Sequence, residues 1–162
     1  MGSLSRNKGA RGEREVARVL GEITGEEWRR GIGQVRRGGR ECPDVEPVDP
    51  ESGWNSWHLE VKRAKDRVDL FAAMVQACRD AEERDCSPVV VWRVDRQDWR
   101  ATVRAGDLVW ESLSTGIVGG QGRSSRGVAP RFRVWDPPLA ELVTVDLDVW
   151  CRLVCYWRSS CW

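Results

Sequence analysis

Two carboxylates and a lysine between residues 44 and 62 are side chains whose types and spacing could support catalysis. Apolar and polar residues alternate over residues 57–63, where Glu60 and Lys62 are two positions apart. Such alternation predicts a strand whose successive side chains point to opposite faces, so Glu60 and Lys62 leave the same face. Asp44 precedes this strand by a connection rich in turn-forming residues. We therefore expect two paired strands that bring Asp44 beside Glu60.

This set of groups suits metal-assisted hydrolysis of a phosphodiester. The two carboxylates offer oxygen ligands for Mg²⁺, with Mn²⁺ as a substitute, and the backbone carbonyl of Val61 is a natural further ligand. A bound metal lowers the pKa of a water ligand and neutralises charge on the phosphate. Lys62 can orient that water or stabilise the transition state. The competing interpretation is an ordinary surface ion pair between Glu60 and Lys62.

The elements around this pattern are predicted in the order helix, strand, strand, helix, strand, strand. Helical spacing of apolar residues covers 10–24, with Gly25 as the stop, and returns over 68–84. Strands are expected at 44–46, 57–63, 89–92 and 99–103, and the apolar run 89–92 predicts a central strand covered on both faces. This order predicts a compact α/β domain.

The C-terminal part is predicted less completely. We expect a core domain over residues 1–113 and an extension over 114–162 that packs on the same domain. Within the extension, alternating Val143, Val145, Leu147 and Val149 predict a strand.

Charge is distributed unevenly along the chain, although the formal net charge is only +1. Residues 1–40 carry ten Lys and Arg against five Asp and Glu, whereas residues 41–122 carry ten against sixteen. This pattern favours a protein that holds phosphates at its edges and carboxylates inside. A glycine-punctuated loop suited to DNA phosphates contains Arg29, Arg30, Arg36, Arg37 and Arg40. The alternative is a solvated loop with no partner.

Other features of the sequence narrow the class of protein. No stretch of about 18 apolar residues predicts a membrane span, and the N-terminus lacks the apolar run of a secretory signal. We therefore expect an intracellular, cytoplasmic protein whose six cysteines are free thiols. With one histidine and no Cys-x-x-Cys pair, a zinc site of the usual kind is not expected.

The pattern Pro43-Asp44 followed by Glu60-x-Lys62 resembles the PD-(D/E)xK nuclease superfamily. Residues 6–20 are also similar to the N-terminal helix of archaeal-type Holliday junction resolvases, in which a Lys-Gly is followed by Glu-Arg-Glu. The resemblance covers about residues 6–105. It implies four catalytic residues, Glu13, Asp44, Glu60 and Lys62. The metal ligands would be Glu13, Asp44, Glu60 and the carbonyl of Val61.

The resemblance further implies a restriction-endonuclease-like core with a central mixed β-sheet flanked by helices. Its implied substrate is branched DNA, such as a four-way junction, cut by a homodimer in phage or bacterial recombination or repair, because two symmetric incisions need two sites. Further DNA contacts would be Lys8, Arg11 and Arg14, and possible helpers are Gln76 and His58. Two alternatives stay open: a nuclease of this fold that cuts duplex, nicked or specific DNA, and a DNA-binding module without catalysis.

Overall fold

A mixed sheet of six strands, flanked by helices, organises the parts of the chain that the computed structural model describes, residues 3–31, 42–108 and 142–159. In chain order the elements are helix α1 (Ser3–Thr24), strands β1 (Trp28–Arg30), β2 (Val45–Pro47) and β3 (Trp57–Ala64), helix α2 (Leu70–Glu82), strands β4 (Ser87–Val94), β5 (Arg100–Arg104) and β6 (Leu142–Asp146), and helix α3 (Leu147–Ser159). A 3-10 helix, Gly53–Ser56, leads into β3. The strands lie in sequence order across the sheet, with β3 parallel to β4 and the other neighbours antiparallel. The predicted α/β fold, a restriction-endonuclease-like mixed sheet flanked by helices, is confirmed.

Strand β4 lies in the middle of the sheet and is buried on both faces, as its apolar run predicts. Val89 and Val91 join the apolar cluster formed with α1 and α3, whereas Val90 packs with Met74 of α2 on the opposite face. Because α2 connects the two parallel strands, it covers the face that carries the even-numbered side chains of β3. Glu60 and Lys62 therefore lie on the α2 face.

Helix α1 ends where the sequence predicts and begins earlier. Gly25 adopts φ 74° and donates its N–H to the carbonyl of Gly21 at 3.0 Å, a glycine termination of the helix. The helix begins at Ser3 instead of residue 10. Gly12 lies within the helix and is buried against Val61 and Trp99, so tertiary packing offsets its low helix propensity.

Helix α2 begins close to its predicted start because Asp69 caps it. The Asp69 carboxylate accepts a hydrogen bond of 3.0 Å from the N–H of Ala72. The helix spans 70–82 rather than 68–84.

The strand predicted from alternation over residues 143–149 is wrong after Asp146. Strand β6 ends there and α3 begins at Leu147, whose N–H donates to the carbonyl of Trp99 at 3.0 Å. Buried positions then follow helical spacing, at Leu147, Trp150, Cys151 and Val154. Most of these buried positions lie after the alternating stretch 143–149. The prediction was wrong because it considered only that stretch. None of the described helices is long and apolar enough to cross a membrane.

Candidate active site

Asp44 is joined to β3 by two hydrogen bonds that fix its position. Its N–H donates to the carbonyl of Leu59 at 2.9 Å, and its carboxylate Oδ2 accepts from the N–H of Val61 at 2.8 Å. Val61 is the residue between Glu60 and Lys62 in the chain. The structure therefore brings Asp44 beside Glu60 and Lys62, as the sequence predicts.

Glu60, Lys62 and Gln76 form a closed network on the α2 face. The Lys62 ammonium lies 2.5 Å from Glu60 Oε1 and donates to Gln76 Oε1 at 3.0 Å. The Gln76 amide donates to the same Glu60 oxygen at 2.9 Å. One oxygen of Glu60 thus accepts from both neighbours, and Gln76, predicted as a helper, holds Glu60 and Lys62 in a fixed arrangement.

Glu13 reaches the site from α1, and Arg30 is its partner. The Glu13 side chain is buried, and its carboxylate forms an ion pair with the Arg30 guanidinium. Its negative charge also contributes to raising the pKa of both Asp44 and Glu60, so it acts on the same site. Arg30, predicted as a DNA contact, is engaged inside the site by this ion pair.

The carboxylates of Asp44, Glu60 and Glu13 are buried, and burial together with the charges of this group raises the pKa of Asp44 and of Glu60. Burial raises the pKa of Asp44 to about 7, and the charges of Glu60 and Glu13 add to the effect against the opposing hydrogen bond from Val61 and charge of Lys62. Burial likewise raises the pKa of Glu60, although its contacts with Lys62 act in the opposite direction. Concentrated negative charge of this kind attracts a cation.

The types of donor atom fit the metal that the sequence predicts, but the carboxylate oxygens of Asp44, Glu60 and Glu13 do not all lie within 4.8 Å of one another. Asp44, Glu60 and Glu13 supply carboxylate oxygens, which Mg²⁺ and Mn²⁺ accept. The N–H and C=O of one residue leave the same edge of a strand. The Val61 carbonyl is therefore directed to the edge from which its N–H reaches Asp44.

Gly31 sets the position of Asp44 from β1, which the sequence did not indicate. Its N–H donates to the Asp44 carbonyl at 2.9 Å. A Cβ atom at Gly31 would lie 2.0 Å from the carbonyl oxygen of Pro43, a distance that no side chain tolerates. The only sequence signal is a glycine directly after the arginine pair, Arg29 and Arg30.

His58 and Asp80 adjoin the network on the α2 face. His58 is 1% exposed, and in the described part of the chain neither ring nitrogen has a hydrogen-bond partner. Burial lowers the pKa of His58 to about 4, and the charge of Arg84 adds to this effect. Asp80, also buried, was missed from the sequence; its signal is the four-residue spacing from Gln76, which puts both on one face of α2.

The predicted DNA contacts are described only in part. Arg11 and Arg14 are exposed on α1, and Arg29 forms an ion pair with Glu46 at 3.1 Å. The residues whose side chains lie outside the described parts are Lys8, Arg36, Arg37 and Arg40.

Comparison with known proteins assigns the family. The model of the family described as "Phage putative PDDEXK endonuclease" matches residues 4–120, a span that contains Glu13, Asp44, Glu60 and Lys62. No curated protein and no solved structure gives a significant match. The family model covers more than half of the 162 residues, and the chain therefore belongs to the phage PDDEXK endonuclease family.

Proposed function

We propose that the protein is a metal-dependent DNA endonuclease that hydrolyses phosphodiester bonds at Glu13, Asp44, Glu60 and Lys62. One observation carries this proposal. The Asp44 carboxylate accepts a hydrogen bond of 2.8 Å from the N–H of Val61, the residue between Glu60 and Lys62. This contact joins the two halves of the sequence pattern in one place.

Each side chain has a distinct role in the proposed reaction. Asp44, Glu60 and the Val61 carbonyl hold the ion, together with Glu13, whose charge Arg30 neutralises. The bound Mg²⁺ or Mn²⁺ supplies Lewis acidity and a water of lowered pKa. Lys62 directs its ammonium at the reacting phosphate, and Gln76 restrains Lys62 and Glu60 from α2.

We further propose branched DNA, in particular a four-way junction, as the substrate, and a homodimer as the acting species. The support is the similarity of the α1 sequence to the junction resolvases, together with exposed Arg11 and Arg14 near Glu13 on that helix. A dimer supplies the two sites that symmetric incision needs. The same similarity favours recombination or repair of DNA in a bacterial cytoplasm as the setting.

The test incubates purified protein with a labelled four-way junction, a duplex and single strands, with Mg²⁺, Mn²⁺ or a chelator. We expect paired symmetric nicks on the junction, no cleavage with the chelator, and a dimer by light scattering. Glu60→Gln should abolish cleavage and retain junction binding, because it removes a charge without changing shape. The matched control is Glu82→Gln, an exposed glutamate at the end of α2, which should cleave normally.

The outcomes separate the alternatives. If plain duplex is cleaved as fast as the junction, the proposed substrate becomes duplex DNA and the proposed nuclease activity stands. Binding without cleavage under both metals would contradict the enzymatic proposal. Normal cleavage by Glu60→Gln would show that the site is wrong.

A further inference from the structure

A second group of side chains that could hold a metal ion adjoins the network of Glu60, Lys62 and Gln76, between β3 and α2. Each of its three residues, His58, Glu60 and Asp80, offers one ligand atom, and these atoms all lie within 4.8 Å of one another. No other group of three His, Cys, Asp or Glu side chains among the described residues has ligand atoms this close to one another. Their exposed fractions are 1%, 4% and 8%, so water competes weakly for them.

The surroundings of His58 support a role as a metal ligand. Both ring nitrogens are buried without a hydrogen-bond partner in the described part of the chain. A buried polar group without a partner costs about 1–3 kcal/mol. One of these nitrogens lies among the ligand atoms of the group, toward Glu60 and Asp80. The imidazole is therefore positioned to act as a ligand together with Glu60 and Asp80.

Asp80 strengthens this interpretation. Its buried carboxylate lies close enough to Glu60 for its charge to act on that side chain, and the ion pairs of the described chain give Asp80 no cationic partner. Two buried carboxylates beside a neutral imidazole are costly without a compensating cation. The ammonium of Lys62 contacts Glu60 and Gln76, and no ion pair of the described residues joins it to Asp80.

We propose that His58, Glu60 and Asp80 bind a divalent transition-metal ion at a site separate from the one at Asp44, with Glu60 shared between them. Ligand atoms about 2.0–2.2 Å from one ion lie up to roughly 4.4 Å apart. Since the three ligand atoms already lie within 4.8 Å of one another, small side-chain rotations are enough to bring them onto one ion. A shared Glu60 means that occupancy of this site restrains the carboxylate that the catalytic site uses.

The ligands select the class of ion. Imidazole nitrogen suits transition metals, whereas Mg²⁺ strongly prefers oxygen. Carboxylate oxygens also suit Mn²⁺, so a set of one nitrogen and two carboxylates accepts Mn²⁺ and discriminates against Mg²⁺. Mn²⁺ is therefore the probe, because its electron spin reports the atoms bound to it.

The test uses tag-free full-length protein loaded with Mn²⁺ and measures electron spin-echo modulation from nitrogen ligands. The chain contains a single histidine, and the residues assigned to the Asp44 site are all oxygen ligands, so an imidazole signal can be assigned to His58. We expect this signal in the wild type and in Asp44→Asn, whose catalytic site has lost a ligand. It should persist in excess Mg²⁺.

Asp80→Asn keeps the shape of the side chain and should lower Mn²⁺ affinity at this site at least about 10-fold, with loss of the nitrogen signal. Asp98→Asn, an exposed aspartate in the β4–β5 turn, is the control and should leave the signal intact. His58→Gln should also lose the signal, and if that variant misfolds, Asp80→Asn decides. The absence of nitrogen modulation in wild type at saturating Mn²⁺, or an unchanged signal in Asp80→Asn, would overturn the proposal. DNA cleavage is measured separately, so a nitrogen signal without cleavage would contradict only the proposed function.

Discussion

Lys62 divides its hydrogen-bond donors between Glu60 and Gln76, and it is a cation in direct contact with a buried carboxylate. Replacing it with methionine removes this charge from the site while keeping much of the chain length. We expect Lys62→Met to reduce the rate of DNA cleavage by about 10²–10³-fold, the usual effect of losing one electrostatic group that stabilises a transition state. DNA binding, measured by fluorescence anisotropy at fixed salt, should change only about twofold, because one charge among many phosphate contacts is lost.

Lys65→Met is the matched control for this prediction. Lys65 lies three residues later in the exposed connection between β3 and α2. The substitution removes the same charge, but the side chain does not contact Glu60. A similar loss of cleavage in both variants would mean that Lys62 acts through general attraction of DNA and not through the site.

Asp44 links the site to the pH dependence of stability. Its pKa in the folded, metal-free protein is about 7, against 3.8 for an ordinary aspartate. The folded state therefore holds this proton more tightly than the unfolded state. Its contribution to stability is fully present below about pH 4 and is lost as the pH rises through 7. One pKa unit corresponds to about 1.4 kcal/mol, so even half of the shift corresponds to on the order of 2 kcal/mol.

Asp44→Asn should thus be more stable than wild type at pH 8 in the presence of a chelator, and this advantage should shrink toward pH 4. The measurement is urea unfolding followed by circular dichroism at pH 4, 6 and 8. Mg²⁺ should narrow the difference at pH 8 by stabilising the wild type, because the cation binds the ionised carboxylate. A variant that is less stable than wild type at every pH would contradict the cause assigned to the raised pKa.

At the scale of elements, β1 controls where Asp44 lies. Gly31 closely approaches Pro43, and any side chain there would collide with the Pro43 carbonyl. Gly31→Ala must therefore separate β1 from the Pro43–Asp44 segment. We expect it to destabilise the protein by about 1–3 kcal/mol and to reduce cleavage by at least about 10-fold, because Asp44 moves with its backbone. Gly106→Ala is the control, since a Cβ there meets nothing within 4 Å. Equal stability of the two variants would refute the assigned role of Gly31.

Helix α1 is joined to the sheet by a charged network that holds Glu13 over the site. Arg93 Nη1 of β4 lies 2.7 Å from Glu15 Oε1, and its guanidinium carbon lies 4.7 Å from the centre of the Trp99 ring. Arg63 Nη1 of β3 lies 3.9 Å from Glu15 Oε2 of α1. Glu15 lies two residues after Glu13 in α1, so the position of Glu13 depends on interactions that are distant in sequence.

Local patterns in the sequence predicted most of the helices and strands and the proximity of Asp44, Glu60 and Lys62, whereas helix α3 and the contacts between elements were not predictable from them. Alternation in β3 put Glu60 and Lys62 on one face, and this is what the structure has. The ion pair of Glu13 with Arg30 depends on how α1 packs on β1. The role of Gly31 depends on strand pairing, and Asp80 joins the site only because α2 crosses β3. No local periodicity encodes such distances.

For the whole molecule, the two faces of the sheet have different roles. The α2 face carries the titratable groups Glu60, His58 and Lys62, with a smaller apolar cluster around Met74 and Val90. The opposite face, covered by α1 and α3, holds the larger apolar cluster. Polar groups needed for chemistry are thereby separated from much of the apolar surface whose burial stabilises the fold.

Trp150 of α3 tests this division of roles. Its side chain is fully buried, and its ring centre lies 5.5 Å from that of Trp54 and 5.3 Å from that of Trp57.

Trp150→Ala should destabilise the protein by about 3–5 kcal/mol through loss of buried area and the cavity left behind. Val149→Ala, on an exposed neighbour in the same helix, should change stability by no more than about 0.5 kcal/mol. Urea unfolding by circular dichroism measures both. Because Trp150 contacts Trp54 and Trp57, whereas Glu60 and Lys62 lie on the α2 face, cleavage per folded molecule should stay within about threefold of wild type at temperatures well below unfolding. A cost under about 1 kcal/mol for Trp150→Ala would show that α3 does not cover the core. A large loss of cleavage in the folded variant would show that the two faces are coupled.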